Sequence, residues 1–112
     1  MNIADIRHQL AYRDTAPHRA IDTIKFIVVH HDAVEAPTDY DALALYKREA
    51  EGHYNKDWDG EGKADGSGLM YHYKIDRKGN IYFCRNLDEA LWHCGNYTKN
   101  LQSIAICLDG HL

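Results

Sequence analysis

Ile24-Lys-Phe-Ile-Val-Val-His-His-Asp-Ala33 is the stretch whose reading decides the fold of this 112-residue chain. Its apolar run is too short for a helix that fills its own face, and it ends in two histidines and an aspartate. Such a run reads as a buried strand. The end of a strand is a rigid place to hold a ligand or catalytic group. Successive strand residues point to opposite faces, so His30 and His31 do not both reach one site. One of them is expected to face a cleft and the other the reverse side of the sheet. Imidazole is a common zinc ligand, although a histidine at a strand end is more often a hydrogen-bonded structural residue.

Composition narrows the function classes. Hydrophobic residues make up 45% of the chain and charged residues 27%, which is ordinary for one globular domain. The formal charge is −4, and there is no block of Lys or Arg, so a nucleic-acid partner is not expected. No apolar run is long enough to span a bilayer. Met1–His8 lacks a basic region followed by an apolar stretch, so no secretory signal is visible and synthesis in the cytoplasm is expected. Three cysteines, Cys84, Cys94 and Cys107, form no Cys-x-x-Cys pair and read as reduced thiols.

Working outward from the strand, Ile3, Ile6 and Leu10 stand at helical spacing and predict a short amphipathic helix over Asn2–Leu10. Residues 1–23 thus read as a lead-in with a short helix, and 24–112 as the main domain. Pro37-Thr38-Asp39 is a plausible helix start, with a helix expected from Tyr40 to about His53. Asn55–Gly68 is rich in glycine and acidic residues and reads as a long surface loop. Met70–Asp76 and Ile81–Arg85 are expected to pair as a hairpin about Lys78-Gly79-Asn80, and Ser103–Leu108 is the fourth strand. The predicted class is α/β, with a mixed sheet of four or more strands flanked by helices.

Four pieces in this order carry a resemblance: Ile27-Val-Val-His-His31; Leu69-Met-Tyr-His-Tyr73 running into Asp76-Arg-Lys-Gly-Asn-Ile-Tyr82; Trp92-His-Cys-Gly95; and Asn100-Leu-Gln-Ser-Ile-Ala-Ile106. Together they resemble the zinc-dependent N-acetylmuramoyl-L-alanine amidases of the type-2 amidase and peptidoglycan-recognition group, which includes phage endolysins. The resemblance covers Ile24 to Gly110. It implies that His30 is the first zinc ligand, that Tyr71 is an active-site tyrosine, and that His93 lines the cleft across from the metal. The family's other two zinc ligands and its C-terminal helices would lie beyond Leu112. The chain is therefore expected to be the N-terminal part of a larger amidase, inactive alone, with a sheet surface left for a second copy to cover.

The chemistry explains those residue types. Three protein ligands leave a fourth zinc position for water, whose pKa falls to about 7. The resulting hydroxide would attack the amide joining the muramic lactyl group to L-alanine, and donors such as Tyr71 or His93 would stabilise the oxyanion. The implied partner is peptidoglycan, and the implied place of action the cell wall, as for an endolysin or prophage enzyme. The alternative is a non-catalytic peptidoglycan-binding module of the same fold. Without the resemblance, Tyr71 and His93 would read as packed sheet and turn residues, and His31, His72, Cys94 and Cys107 are assigned to structure. Asp57–Gly68 places oxygen side chains at positions 1, 3, 5 and 9 of a calcium-type loop, but Gly68 stands where the twelfth-position Glu belongs. A solvated loop is the better reading there.

Overall fold

In the computed structural model, which describes residues 2–33 and 39–110, the two longest strands lie side by side. Strand β2 (Phe26–His31) pairs in parallel with β5 (Ser103–Leu108), in register from Phe26 opposite Ser103 to His31 opposite Leu108. Three shorter strands complete the sheet: β1 (Ile3–Asp5), β3 (Tyr73–Ile75) and β4 (Ile81–Phe83). The order is β1-β4-β3-β5-β2, with β3 and β4 antiparallel and every other pair parallel. The expected mixed sheet is present, flanked by helices α1 (Ala42–Tyr54) and α2 (Tyr97–Leu101).

The β3–β4 hairpin turns where the sequence predicts. Asp76 closes it: Oδ1 accepts from the Lys78 and Asn80 amides at 2.9 Å each, while Oδ2 accepts from Asn80 Nδ2 and the Tyr82 hydroxyl. Burial would raise this carboxyl, but the hydrogen bonds outweigh it and hold the group below its usual value. Gly79 supplies the φ of 87° that the bend requires.

Three expectations are corrected. Asn2–Leu10 is not an amphipathic helix; Ile3–Asp5 adds a parallel strand beside β4, and only Arg7–Gln9 makes a single 3-10 turn. The periodicity was misleading because Ile6 and Leu10 do turn into the core, but from an extended segment whose edge hydrogen bonds β4 supplies. The main helix starts at Ala42 behind Asp41, whose side chain accepts from the Ala44 amide at 3.1 Å. Pro37 and Thr38 lie outside the described residues. Finally, β2 is an edge strand and is not buried on both faces, since Ile27 is 65% and Val29 50% exposed.

The two faces of the sheet differ sharply. On one, Tyr46, Ala50 and Ala42 of α1 pack over Ile6, Leu10, Leu69 and Cys84 to form the core, and Lys74, Ala105 and Cys107 are fully buried. On the other lie Ile27, Val29, Ile104, Ile106, Tyr73, Ile75, Ile81 and Phe83, and every one is exposed or half-buried. This face has apolar character with no layer packed on it among the described residues. No helix of the described residues is long and apolar enough to cross a membrane.

Candidate functional site

His30 sits near the end of β2 on the covered face, in register with Cys107 of β5, which is in turn in register with Lys74 of β3. Its partner His31 turns to the open face and is exposed. The alternation argument thus separates the two histidines as expected.

His30 meets the two other residues that the resemblance singles out. Its Nε2 lies 2.8 Å from Nδ1 of His93, and its ring centroid is 5.6 Å from that of Tyr71. His93 continues the chain of contacts, with Nε2 2.8 Å from the Ser103 hydroxyl. The two histidines are in direct contact and do not face each other across a cleft. Burial depresses the basicity of both rings; for His93, burial followed by the nearby His30 and Arg19 brings it to about 4. Both are therefore neutral at neutral pH, one donating and the other accepting in the bond they share.

His93 is placed by a residue that sequence reasoning missed. Asn100, nearly fully buried, accepts from the amides of His93 and Cys94 and donates from Nδ2 to the Cys94 carbonyl at 2.8 Å. It fixes the Trp92–Gly95 turn over the sheet. The available signal was a polar residue just ahead of an apolar strand, which is weak by itself.

Tyr71 reaches the site because the chain is irregular there. The expected strand from Met70 shortens to Tyr73–Ile75, and the Cys84 and Arg85 amides both point at the single carbonyl of His72. That two-against-one arrangement is a bulge whose extra residue lies on the Cys84–Arg85 side. On the facing segment the chain bends at Met70 and at His72, ahead of the strand. Tyr71 and His72 both turn to the covered face, Tyr71 beside His30 and the core, His72 against Ala105 and Glu89. The expectation that they face opposite sides fails because this stretch is bent and is not strand. Burial raises the Tyr71 phenol, and Cys107 adds to it, so the hydroxyl keeps its proton and acts as a donor.

Beneath Tyr71 lies a buried charge cluster that sequence reasoning also missed. Lys74 Nζ is 3.0 Å from Asp109 Oδ1, 3.6 Å from Glu49 Oε2 and 4.0 Å from Asp32 Oδ2, and 5.5 Å from the Tyr71 ring centroid. Asp109 Oδ2 accepts from the hydroxyls of Tyr40 and Tyr46. The signal was present: Lys74 shares strand parity with the inward-facing His72, and a lysine on a core face demands a carboxylate partner.

A cavity of about 590 Å³ opens elsewhere on the molecule, and none of His30, Tyr71, His93 and Lys74 lines it. Met70 and Trp92, the chain neighbours of Tyr71 and His93, line it together with Trp58, His53, Asp59 and Asp65. The acidic loop forms its outer wall, and Gly66 lies so close to α1 that a Cβ there would come within 1.6 Å of the His53 carbonyl oxygen. The loop's carboxylates mostly serve its own backbone. Asp57 accepts from the amides of Gly60, Glu61 and Gly62, and Asp65 from those of Trp58 and Asp59.

The donor set for zinc can be tested directly. Neutral imidazole is the form that binds metal, and His30 and His93 supply two such donors. No group of three His, Cys, Asp or Glu ligand atoms gathers around His30 among the described residues. Two donors fall short of the three that a catalytic zinc site uses. The described residues do not by themselves complete that site.

Comparison with known proteins adds the following. A family model described as N-acetylmuramoyl-L-alanine amidase matches residues 20–112. No curated protein matches the chain. Among solved structures, the fold is similar to the N-acetylmuramoyl-L-alanine amidase LysC from Clostridium intestinale URNW, with a TM-score of 0.60 and 20% identity over 98% of this chain and 60% of that one. It is also similar to the endolysin amidase LysCS from the same organism, with a TM-score of 0.58 and 21% identity over 97% of this chain and 58% of that one. Bumblebee PGRP-SA gives a TM-score of 0.65 and 22% identity over 97% of this chain and 60% of that one. The chain thus spans about three-fifths of the length of these structures.

Proposed function

We propose, since this chain belongs to the N-acetylmuramoyl-L-alanine amidase family, that its His30–Tyr71–His93 site serves hydrolysis of the amide between the muramic lactyl group and L-alanine in peptidoglycan. The observation that carries the reading is the convergence of three residues far apart in sequence, each at a position the family resemblance marks. In this reading His30 is a zinc donor, and the cell wall is where the protein acts. A bound zinc would supply an activated water and polarise the scissile carbonyl.

The chain's own residues then have defined tasks. Tyr71, protonated and half-buried, presents its hydroxyl as a donor towards developing negative charge on the amide oxygen. His93, held by Asn100 and hydrogen-bonded to Ser103, keeps the His30 ring in a fixed orientation. The cavity walled by Trp58 and Trp92 receives the substrate. Tyr71→Phe keeps the ring and deletes only the hydroxyl, so in a protein where the remaining zinc ligands are supplied turnover on peptidoglycan should fall by about 10²-fold with the unfolding midpoint unchanged. Assay of muramoyl-peptide release by chromatography, with and without chelator, checks this. Full turnover in Tyr71→Phe would remove the role assigned to Tyr71.

A second reading, a peptidoglycan-binding module without catalysis, is favoured by one observation: among the described residues two imidazoles converge at the site, one donor fewer than a catalytic zinc site uses. Sedimentation of the chain with insoluble peptidoglycan, with no release of muramoyl peptide on adding zinc, would select it.

The open sheet face is proposed to bind a second copy of the chain. Apolar patches beyond a few hundred Å² commonly mark interfaces, and outward apolar side chains of β2, β3, β4 and β5 lie on this one, bordered by the Asp5–Arg7 pair at the β1 edge. Sedimentation velocity at micromolar concentration should show a dimer, and Val29→Lys, at a half-exposed position, should shift it to monomer. A monomer at all concentrations would refute the proposal.

A further inference from the structure

We propose that the cavity walled by Trp58 and Trp92 is a saccharide site, extended by Tyr97, which takes an N-acetylhexosamine ring of a glycan strand. Assigning that strand to peptidoglycan rests on the amidase reading; the saccharide chemistry of the cavity does not.

The volume of about 590 Å³ lies within the range of small-ligand sites, about 300–1,000 Å³. Trp58 is 60% and Trp92 45% exposed, so neither ring is spent on the core. Both are held by stacking. Trp58 lies against His53 with ring centroids 6.4 Å apart and planes 21° apart, and Trp92 against Tyr97 at 5.3 Å and 21°. Tyr97, 66% exposed, thereby continues the aromatic surface beyond the cavity. Asn100 clamps the turn that carries Trp92, through the His93 and Cys94 amides and the Cys94 carbonyl. The aromatic surface is therefore set before any ligand arrives.

A pyranose ring suits such walls. Its face presents C–H groups, apolar and slightly positive, which meet the negative face of an aromatic ring. Its edge presents hydroxyls, which need acceptors. Asp59 and Asp65 line the cavity. Asp65 accepts from the Trp58 and Asp59 amides at 2.7 and 3.3 Å, and Asp59 from the Glu61 amide at 3.0 Å. These bonds fix the carboxylates and leave lone pairs for hydroxyl donors. They also offset part of the carboxylate charge, which favours a hydroxylated ligand over a cation. His53 adds a further polar group at the wall: its Nδ1 is buried with no hydrogen-bond partner. An unmet polar atom is costly, and after a small turn of the ring the N-acetyl amide of a sugar would satisfy it.

The proposed reaction brings a sugar to this neighbourhood. The lactyl group of the scissile amide is carried on the muramic sugar, so a pyranose lies a few bonds from the reacting carbonyl. Trp92 and Met70, which line the cavity, adjoin His93 and Tyr71 in the chain.

Both tryptophans of the chain line the cavity, so intrinsic fluorescence reads it directly. The test is titration of the 112-residue chain with the β-1,4-linked tetrasaccharide of N-acetylglucosamine. A sugar-free peptide beginning in L-alanine and pentylammonium are titrated in parallel. A saturable change is expected with the tetrasaccharide alone. Affinity should fall about tenfold in Trp92→Ala and about threefold in Tyr97→Ala and Asp59→Asn. All three side chains are exposed, and circular dichroism verifies that the variants fold. No response to the tetrasaccharide, affinity unchanged in both Trp92→Ala and Tyr97→Ala, or saturation by the peptide or by pentylammonium in its place would each overturn the proposal. The two readings fail separately. Tetrasaccharide binding by a chain that does not sediment with insoluble peptidoglycan would keep the saccharide site and remove peptidoglycan as its source. Sedimentation unaffected by Trp92→Ala and Tyr97→Ala would remove the saccharide site alone.

Discussion

Replacing Lys74 by methionine should cost about 3–5 kcal/mol and leave much of the chain unfolded at physiological temperature, because a typical domain has only about 5–15 kcal/mol of stability. The ammonium is fully buried and holds Asp109, whose side chain is 1% exposed, at 3.0 Å. Burial works against the charged lysine, but Glu49, Cys107 and Asp109 outweigh it and raise its basicity. A group whose basicity is raised by folding stabilises the fold throughout the acid and neutral range and loses that contribution only as pH rises through its folded value. Methionine nearly preserves volume, so the loss would come from stranding the carboxylates of Asp109 and Glu49 and not from a cavity. Asp109 keeps the Tyr40 and Tyr46 hydroxyls as donors, and these soften the loss without neutralising the charge. Urea unfolding followed by far-ultraviolet circular dichroism measures the effect. A Lys74→Met variant as stable as the parent would show that the cluster is not a stabilising centre.

Acid should destabilise the fold through His72. Its ring is fully buried, with Nδ1 accepting from the Ala105 amide at 3.0 Å and Nε2 2.7 Å from the Glu89 carbonyl oxygen. That pattern requires the proton on Nε2 and none on Nδ1. Protonating Nδ1 would oppose two N–H donors. Burial, despite the bond to Glu89, brings the ring from 6.5 down to about 4. The unfolded chain therefore binds more protons between those values, and stability must fall as pH drops through that window. The shift corresponds to about 3 kcal/mol. His93 adds in the same direction, while the raised carboxyl of Glu49 works in the opposite one. Comparing His72→Gln with the parent isolates the histidine: the variant should be less stable at neutral pH and lose less on acidification. Urea midpoints that stay flat from neutral pH to pH 4.5 would refute this role for His72.

Both effects belong to residues that one-dimensional patterns conceal. His72 and Lys74 lie in Met70–Asp76, where alternation predicts a regular strand, and the bends at Met70 and His72 put Tyr71 onto the same face. Tyr71 therefore reached the site for a reason opposite to the one its spacing suggests. Asp109 lies past the last strand and is drawn inward only because β5 runs parallel to β3, which brings Lys74 alongside Cys107. Asn100 likewise acquires its role from the fold of the turn it clamps. At the N-terminus, helical spacing of Ile3, Ile6 and Leu10 described an edge strand and a single turn.

What the residues determined by themselves was local or carried by ordered motifs. These include the strand character of Ile24–His31, the opposition of His30 and His31, the Asp76–Asn80 turn, the main helix, and membership of the amidase family. Each depends on backbone periodicity, on turn chemistry, or on a motif order that survives without coordinates. Tertiary structure alone decided that β2 is an edge strand, that His93 touches His30, and that Lys74, Glu89 and His72 are buried with their partners. Those outcomes depend on strand order and on contacts between residues distant along the chain. Burial changes the energy of a charge or an imidazole by several kcal/mol, and burial is a property of the packed layers, not of the string of residues.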